Sequence, residues 1–384
     1  MWEVERADPV TARRAANDLK TAKQHLRQGQ NEQAVECFVK ALDDYDNVDL
    51  VAEQARKFPD SHLAMRLLEL TATKAREYLK RDLGQDCFEE TFYAYGGFWG
   101  VLDTRPYMRT LHAIAHVAFD MGDLDKAIAT TVETLRLCQG DNMGQRSFLP
   151  PLLLRAKRYE DALSFCQVWL DPQYDGKQRP LGGCAFAAPD PEPLSQAFVD
   201  WHTESWRPTD LLLNAALASY HLYGDCEQAR QYLSLGAKGN TRIMCEIWVR
   251  SRQPTKPYSR PRTANSREES HDYLWLMQDL WMEHDVWAWA TRHPDVKEAA
   301  LKRCGYAECS NREEAVFTFK CCGGCKEEWY CSPECQKADW RKHKLECFGY
   351  RQKLLASSPR DKDFGSESSV SDDEDPDSLV RFAH

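Results

Sequence analysis

The residues best suited to do chemistry in this sequence are cysteines and one histidine near its carboxyl end. They form four closely spaced pairs: Cys304 with Cys309, Cys322 with Cys325, Cys331 with Cys335, and His343 with Cys347. Thiolate sulfur and imidazole nitrogen are preferred ligands of Zn²⁺, and eight of them fill two tetrahedral sites without leaving a position for water. Such closed sites are structural, so the pattern predicts two zinc ions that stabilise a small fold and carry out no reaction.

Two alternatives concern the same cysteines. Cys321 stands beside Cys322, so either thiol could be the ligand, and the tight Cys-Gly-Gly-Cys turn favours Cys322. A disulfide cluster would require an oxidising compartment, and the amino-terminal sequence has no secretory signal. We therefore expect reduced cysteines that bind metal.

From Cys322 onward the spacing resembles the MYND zinc finger. The resemblance rests on Cys-x2-Cys-x5-Cys-x3-Cys followed by Gln336, Trp340, His343 and Cys347, whereas the first gap, Cys304-x4-Cys309, is longer than in many members. It implies interleaved sites. One zinc would be held by Cys304, Cys309, Cys331 and Cys335, and the other by Cys322, Cys325, His343 and Cys347.

A short helix is expected after Ser332, which can cap it, with Pro333 at its first position. Gln336 and Trp340 are four residues apart and would share one face of that helix. In characterised members of the family such a face binds short proline-containing peptides. The alternative for Trp340 is a core ring that packs beside the zinc.

The preceding part of the chain predicts pairs of helices. Small residues recur near the start of each second helix, and Ala127, Ala162 and Ala229 are separated by 35 and 67 positions. These separations are close to one and two periods of about 34 residues, so residues 1–250 resemble a tetratricopeptide-like helical-repeat domain. The expected fold class is mainly α: this domain, then the two-zinc MYND finger at residues 301–350, then a disordered acidic tail at residues 356–384.

One stretch of the helical part resembles repeat proteins of the suppressor-of-tumorigenicity-seven type. The resemblance covers residues 98–109 and 141–146. Its polar residues could line a groove for a peptide: Arg105, Arg109, Asp141, Asn142 and Arg146. The alternative is that they form hydrogen bonds inside the helical domain and cap its helices.

Three segments interrupt the helical pattern. Prolines and glycines predict an inserted loop at residues 171–208, and residues 251–270 form a basic, proline-rich linker. An aromatic helix at residues 271–300 is expected to pack on the repeats or on the finger. In the tail, Ser369 and Ser371 precede an acidic run and are candidate phosphorylation sites.

Composition narrows the class of function. The net charge of −10 disfavours a nucleic-acid-binding protein, and the sequence has no apolar run that could span a membrane. We expect a cytoplasmic or nuclear protein, or one found in both compartments. His112 and His116, four residues apart, lack a nearby third ligand and are interpreted as ordinary helix residues.

No catalytic motif is evident, so the sequence predicts a protein that is not an enzyme. The predicted function is a zinc-binding adaptor, which binds proline-containing peptides through the finger and other proteins through the repeats, with transcriptional regulation as a candidate setting. Three alternatives stay open: a MYND-associated lysine methyltransferase, although no SET motif is seen; a nucleic-acid-binding finger; and a chaperone co-factor.

Overall fold

The structure is a computed structural model that describes residues 4–174, 177–204, 208–258, 263, 265–325 and 328–357, with the backbone alone at residues 348–357. The predicted tail, with Ser369 and Ser371, lies outside the described residues except for its first two positions. The chain divides into two units, residues 1–235 and 236–384. Both are mainly helical, as the sequence predicts.

The first unit consists of helices that pack mainly on their neighbours in sequence. They are α1 (Pro9–Arg27), α2 (Asn31–Ala41), α3 (Val48–Ala55), α4 (Ser61–Leu83), α5 (Arg105–Asp120), α6 (Leu124–Leu137), α7 (Leu149–Arg155), α8 (Tyr159–Leu170), α9 (Gln196–Glu204), α10 (Thr209–Tyr223) and α11 (Glu227–Gly239), the last of which crosses the division between units. The closest packing joins α1 to α2, α5 to α6 and α8 to α10.

The start of α1 shows how sequence produces these helices. Asp8 caps the helix by accepting hydrogen bonds from the amides of Val10 and Thr11. The apolar face then buries Leu19 against α2, where Ala34 and Phe38 are fully buried. Helix pairs of this kind occur in several repeat families, so the structure confirms a mainly helical unit while the tetratricopeptide assignment stays a prediction.

The polar groove predicted from residues 98–146 is not supported. Arg105 donates to the carbonyl of Trp99, Arg109 pairs with Asp49, and the thiol of Cys138 donates to Asn142. Asp141 is buried and accepts hydrogen bonds from two backbone amides, at 2.6 and 3.0 Å. These contacts join helices and loops inside the first unit, in agreement with the alternative interpretation.

The segment predicted as an inserted loop, residues 171–208, contains α9 as well as two short 3₁₀ turns. After Pro193 the next proline is Pro208, and residues 196–204 contain neither proline nor glycine, so nothing prevents a helix there. Before α9, residues 188–194 have no regular secondary structure and bend at Glu192, and their backbone is bonded by glutamine side chains of α8 and α11. Trp206 lies outside the described residues.

The second unit continues with α12 (Thr241–Trp248), α13 (Arg267–Trp281), α14 (His284–Arg292) and α15 (Pro294–Ala300). The aromatic helix predicted at residues 271–300 is therefore divided into the last three of these. Pro294 begins α15, because its ring is compatible only with the first turn of a helix. Trp281 is fully buried, and Trp287 donates to the carbonyl of Ile247 on α12.

The predicted basic linker is held against α13 over its described part. Gln253 donates to the carbonyl of Trp275, and Asp272 accepts from the amide of Tyr258. Arg260 and Arg262 lie outside the described residues. Across the part of the chain that the structure describes, no helix combines the length and apolar character needed to cross a bilayer.

Candidate metal centre

The carboxyl-terminal module is built from a two-stranded hairpin and one helix. Strands β1 (Lys320–Cys321) and β2 (Trp329–Tyr330) pair antiparallel, and α16 (Pro333–Ser357) follows and packs on β2. Ser332 caps α16 as predicted, since its hydroxyl accepts from the amide of Cys335 at 3.3 Å. The turn brings Cys331 and Cys335 onto one side of the helix start.

The first cluster joins four thiols that are up to 31 positions apart in sequence: Cys304, Cys309, Cys331 and Cys335. The Sγ atoms of Cys309 and Cys331 are 3.7 Å apart, and those of Cys331 and Cys335 are 3.5 Å apart. Tetrahedral zinc with Zn–S bonds of about 2.3 Å places its sulfur ligands about 3.8 Å from one another. The cluster therefore has the dimensions of a zinc site.

The second cluster is more deeply buried and contains one imidazole: Cys322, Cys325, His343 and Cys347. The Sγ atoms of Cys322 and Cys347 are 4.0 Å apart, and Nε2 of His343 lies 3.4 Å from Sγ of Cys325. Within each cluster the four ligand atoms lie within 4.8 Å of one another. The two clusters fit two zinc ions, in the interleaved pairing that the family resemblance implies.

The hairpin decides between the adjacent thiols Cys321 and Cys322. Successive residues of a strand point to opposite faces, so only one of the two can face the cluster. Cys322 is fully buried among the ligands, while Cys321 lies half-exposed opposite Trp329. A Cβ atom at Gly324 would lie 2.9 Å from Sγ of Cys347, which explains why the turn needs glycine there.

Polar groups outside the clusters orient the ligands. The amide of Asn311 donates to Sγ of Cys331 at 3.4 Å. Burial raises the pKa of Cys331, but hydrogen bonds from Asn311 and the neighbouring thiols outweigh it and leave that pKa below its ordinary value. A lowered pKa favours the thiolate, which is the form that binds zinc.

Two further residues support the module and were not singled out from the sequence. Tyr330 is fully buried and donates to Asp339, and its ring lies edge-on to the imidazole of His343. Glu313 is 3% exposed and accepts from the amides of Lys302 and Phe319. A buried tyrosine is common in any core, and a lone glutamate gives no spacing signal, so neither role was visible in the sequence.

The predicted peptide-binding residues differ in exposure. Trp340 is half-exposed and packs on the buried cysteines, with its ring centre 6.0 Å from that of His343. Gln336 is only 1% exposed, and neither atom of its side-chain amide has a hydrogen-bond partner among the described residues. The two therefore do not form an open face, although they lie on one side of α16.

Comparison with known proteins supports the geometry. Residues 301–347 match the MYND finger family. The match covers all eight residues of the two clusters. No solved structure matches the chain.

The curated relatives share only this finger. N-lysine methyltransferase SMYD2 of Homo sapiens is 50% identical over 44 residues, which is 12% of this chain and 9% of the relative. The protein of the same name from Sus scrofa is 65% identical over 39 residues, 10% of this chain and 8% of its own. MYND-type zinc finger protein samB of Aspergillus clavatus is 36% identical over 53 residues, 14% and 9% respectively. The chain thus spans about a tenth of the length of these relatives.

These relatives correct one prediction. The sequence was interpreted as that of a protein that is not an enzyme, because no catalytic motif stood out. Several proteins that match it are named N-lysine methyltransferases, so that conclusion is wrong as it was drawn. The matched residues carry the zinc ligands and amount to about 10% of the chain, which makes them weak evidence of enzymatic activity.

Proposed function

We propose that this protein is an adaptor whose MYND finger binds proline-containing peptides at Gln336 and Trp340. The observation that carries the proposal is the metal centre: two closed four-ligand clusters leave no open coordination position, so the zinc ions shape a surface. A rigid, metal-bound frame fixes the backbone that carries these side chains, which lowers the conformational cost of binding a peptide.

The state of Gln336 and Trp340 supports the choice of ligand. The half-exposed ring of Trp340 offers an apolar surface for a proline ring. Among the described residues, the amide of Gln336 has no partner for its donor or its acceptor, and pairing with a peptide backbone requires both. Because Gln336 is covered, its side chain must turn outward when the peptide binds.

We further propose that the helical first unit is a degenerate tetratricopeptide-like array that supplies a second protein-binding surface. The support is positional: Ala34, Ala127, Ala162 and Ala229 are each fully buried near the start of α2, α6, α8 and α11. Small residues at such positions let the two helices of a repeat approach closely.

Peptide binding by the finger can be tested with proline-containing peptides and fluorescence polarisation. We expect Trp340→Ala to weaken binding by about tenfold or more, since an aromatic anchor in an interface contributes about 2 kcal/mol or more. Leu345→Ala is the matched control, because Leu345 is a 77% exposed apolar residue on the same helix. Zinc content should stay at two equivalents in both variants. Equal binding by Trp340→Ala and wild type, with zinc retained, would contradict the proposal.

A further inference from the structure

The surface segment before α9 is held in an unusual way. Residues 188–194, here called the proline strap, have proline at positions 189, 191 and 193. None of the seven residues is buried. Its apolar side chains are at most partly covered, as at Pro189 and Leu194, so hydrogen bonds make up much of its attachment.

Three glutamines of α8 and α11 provide that attachment, and each of them binds the strap backbone. Gln167 donates to the carbonyl of Asp190 at 2.7 Å and accepts from the amide of the same residue at 2.9 Å. Gln231 forms the same pair of hydrogen bonds with Leu194, at 2.6 Å from its amide and 3.3 Å to its carbonyl. A side-chain amide that bonds both the N–H and the C=O of one residue recognises its backbone and does not depend on the identity of its side chain.

Gln228 is the third glutamine, and a hydrogen bond from Ser219 holds its side chain in place. Its Nε2 donates to the carbonyls of Asp190 and Glu192, at 2.7 and 2.6 Å. Its Oε1 accepts from the hydroxyl of Ser219 at 3.0 Å, so both amide hydrogens are left for the strap. The side chain is 2% exposed, and it lies three residues from Gln231 on the same face of α11.

The proline pattern matches these partners. Proline has no backbone N–H, and in the strap it occupies only positions where the glutamines need none. Residues 190, 192 and 194 alternate with the prolines, and the glutamines bond their backbone groups. The exception is the amide of Glu192, which donates to the Asp190 carboxylate within the strap. Shifting the prolines by one position toward the carboxyl end would remove the two N–H groups, of Asp190 and Leu194, that donate to Gln167 and Gln231.

We propose that the three-glutamine groove of α8 and α11 is a peptide-binding site, and that the proline strap occupies it as an internal ligand. Its external ligand is an extended segment of a partner protein with proline at every second position. Because the glutamines contact backbone alone, a partner segment with that pattern meets the same hydrogen bonds. The strap, tethered at both ends, has a high effective concentration, so it masks the groove until a partner bound elsewhere on the chain competes.

The inference deepens the adaptor function proposed above and rests on it for its biological role, but it depends on different residues. Direct binding tests it. In the full chain, residues 189–193 are replaced by Gly-Ser-Gly-Ser-Gly, which keeps the bonded backbone groups but removes the φ restriction of the prolines, so that the segment loses more conformational entropy on docking and competes less well. A labelled peptide with the sequence of residues 187–195 is then titrated and followed by fluorescence polarisation.

The strap-replaced chain should bind the peptide about tenfold more tightly than wild type, where the strap competes. Adding Gln228→Ala should remove most of this binding. Gln231→Ala should do the same, and it replaces a residue that is less buried than Gln228. Gln196→Ala is the matched control, because Gln196 is an exposed glutamine that follows the strap and donates to Asp200. A peptide with its prolines shifted by one position should bind about tenfold less well.

Two results would overturn the inference. One is a strap-replaced chain that keeps its circular dichroism spectrum and unfolding temperature and yet fails to bind the peptide. The other is binding that does not distinguish the shifted peptide or the Gln228→Ala and Gln231→Ala variants. Because the finger is itself proposed to bind proline-containing peptides, every chain in this titration also carries Trp340→Ala, so failure of the finger proposal and failure of the groove proposal give different results.

Discussion

At the residue scale, the finger depends on which atoms can reach the metal. Cys321 and Cys322 have the same chemistry and adjacent positions, yet Cys321 ends β1 opposite Trp329 and only Cys322, the next residue, belongs to the second cluster. The chain therefore contains a matched pair of thiols that differ in direction alone. This pair allows a test in which the chemistry of the substitution is held constant.

Cys322→Ser is expected to lower zinc content from two equivalents to about one, because a hydroxyl is a poor replacement for thiolate sulfur. Cys321→Ser should keep both ions. Elemental analysis of the purified, reduced variants measures the outcome. Loss of zinc from Cys321→Ser and its retention in Cys322→Ser would mean that the strand register is wrong.

His112 gives the first unit a pH-dependent stability. Its pKa is lowered from the ordinary value of 6.5 to about 4, mainly because burial disfavours the charged ring and secondarily because of Arg56. The unfolded chain therefore binds a proton between pH 6.5 and 4 that the folded chain does not. The contribution of His112 to the free energy of unfolding is therefore complete above pH 6.5 and is lost as the pH falls from 6.5 to about 4.

We expect wild type to lose about 2 kcal/mol of unfolding free energy between pH 7 and pH 5 through His112 alone. His112→Gln should show a correspondingly weaker pH dependence, whatever its stability at pH 7. Denaturant unfolding at the two pH values, followed by circular dichroism, measures the difference. His62→Gln, at an exposed position, is the control, and equal pH slopes for all three chains would refute the assignment.

At the element scale, a close approach between a turn and a helix shapes the segment that precedes the strap. Gly182 has φ of +62°, and a Cβ atom there would lie 2.4 Å from the carbonyl oxygen of Leu135 on α6. Its own carbonyl accepts from the indole of Trp169 on α8 at 3.0 Å. The turn is thus pressed against one helix and bonded to another, and only glycine fits.

Gly182→Ala should destabilise the first unit by about 2–4 kcal/mol, from left-handed strain together with the steric overlap. Gly122→Ala is the control for strain alone, because Gly122 has φ of +79° and a Cβ atom there would meet no atom within 4 Å. Its expected cost is about 1–2 kcal/mol. Urea denaturation compares the two, and equal losses would show that the overlap relaxes at no cost.

At the scale of the whole molecule, the first unit and the finger are stabilised by different physics. The first unit buries large apolar side chains along its helices, such as Phe38, Leu79 and Phe165. In the finger the main hydrophobic cluster consists of metal ligands and Tyr330, with Trp340 packed on it. A core made of ligands has little apolar surface, so its stability is mainly the free energy of zinc binding, on the order of 10–16 kcal/mol for comparable sites.

Removing zinc with a chelator should therefore unfold residues 301–347 and leave the first unit folded. Hydrogen exchange read by mass spectrometry should show protection lost in the finger and kept in α5–α8. Re-addition of zinc should restore the finger, which controls for oxidation of the thiols. Protection that persists in a finger shown to be free of zinc would contradict the prediction.

The sequence by itself determined the features that depend on local spacing. The four ligand pairs, the Ser332 cap and the helical character of the chain are set by residues within a few positions of one another. The family match at residues 301–347 and the two clusters confirm the finger. The prediction about enzymatic activity was wrong because it rested on motifs that were not seen, which is a weaker argument than a pattern that is present.

Only the tertiary structure decided the features that join distant residues. It placed Cys322 and not Cys321 in the cluster, covered Gln336, and used the polar residues 105–146 for internal hydrogen bonds. It also placed Gln167, Gln228 and Gln231 along the proline strap. Each glutamine is 23 to 38 positions away in sequence from the strap residue that it bonds. Glutamine occurs on many helix surfaces, and only the packing of the helices brings these three onto the same backbone, because side-chain direction and long-range contact have no signature in local sequence.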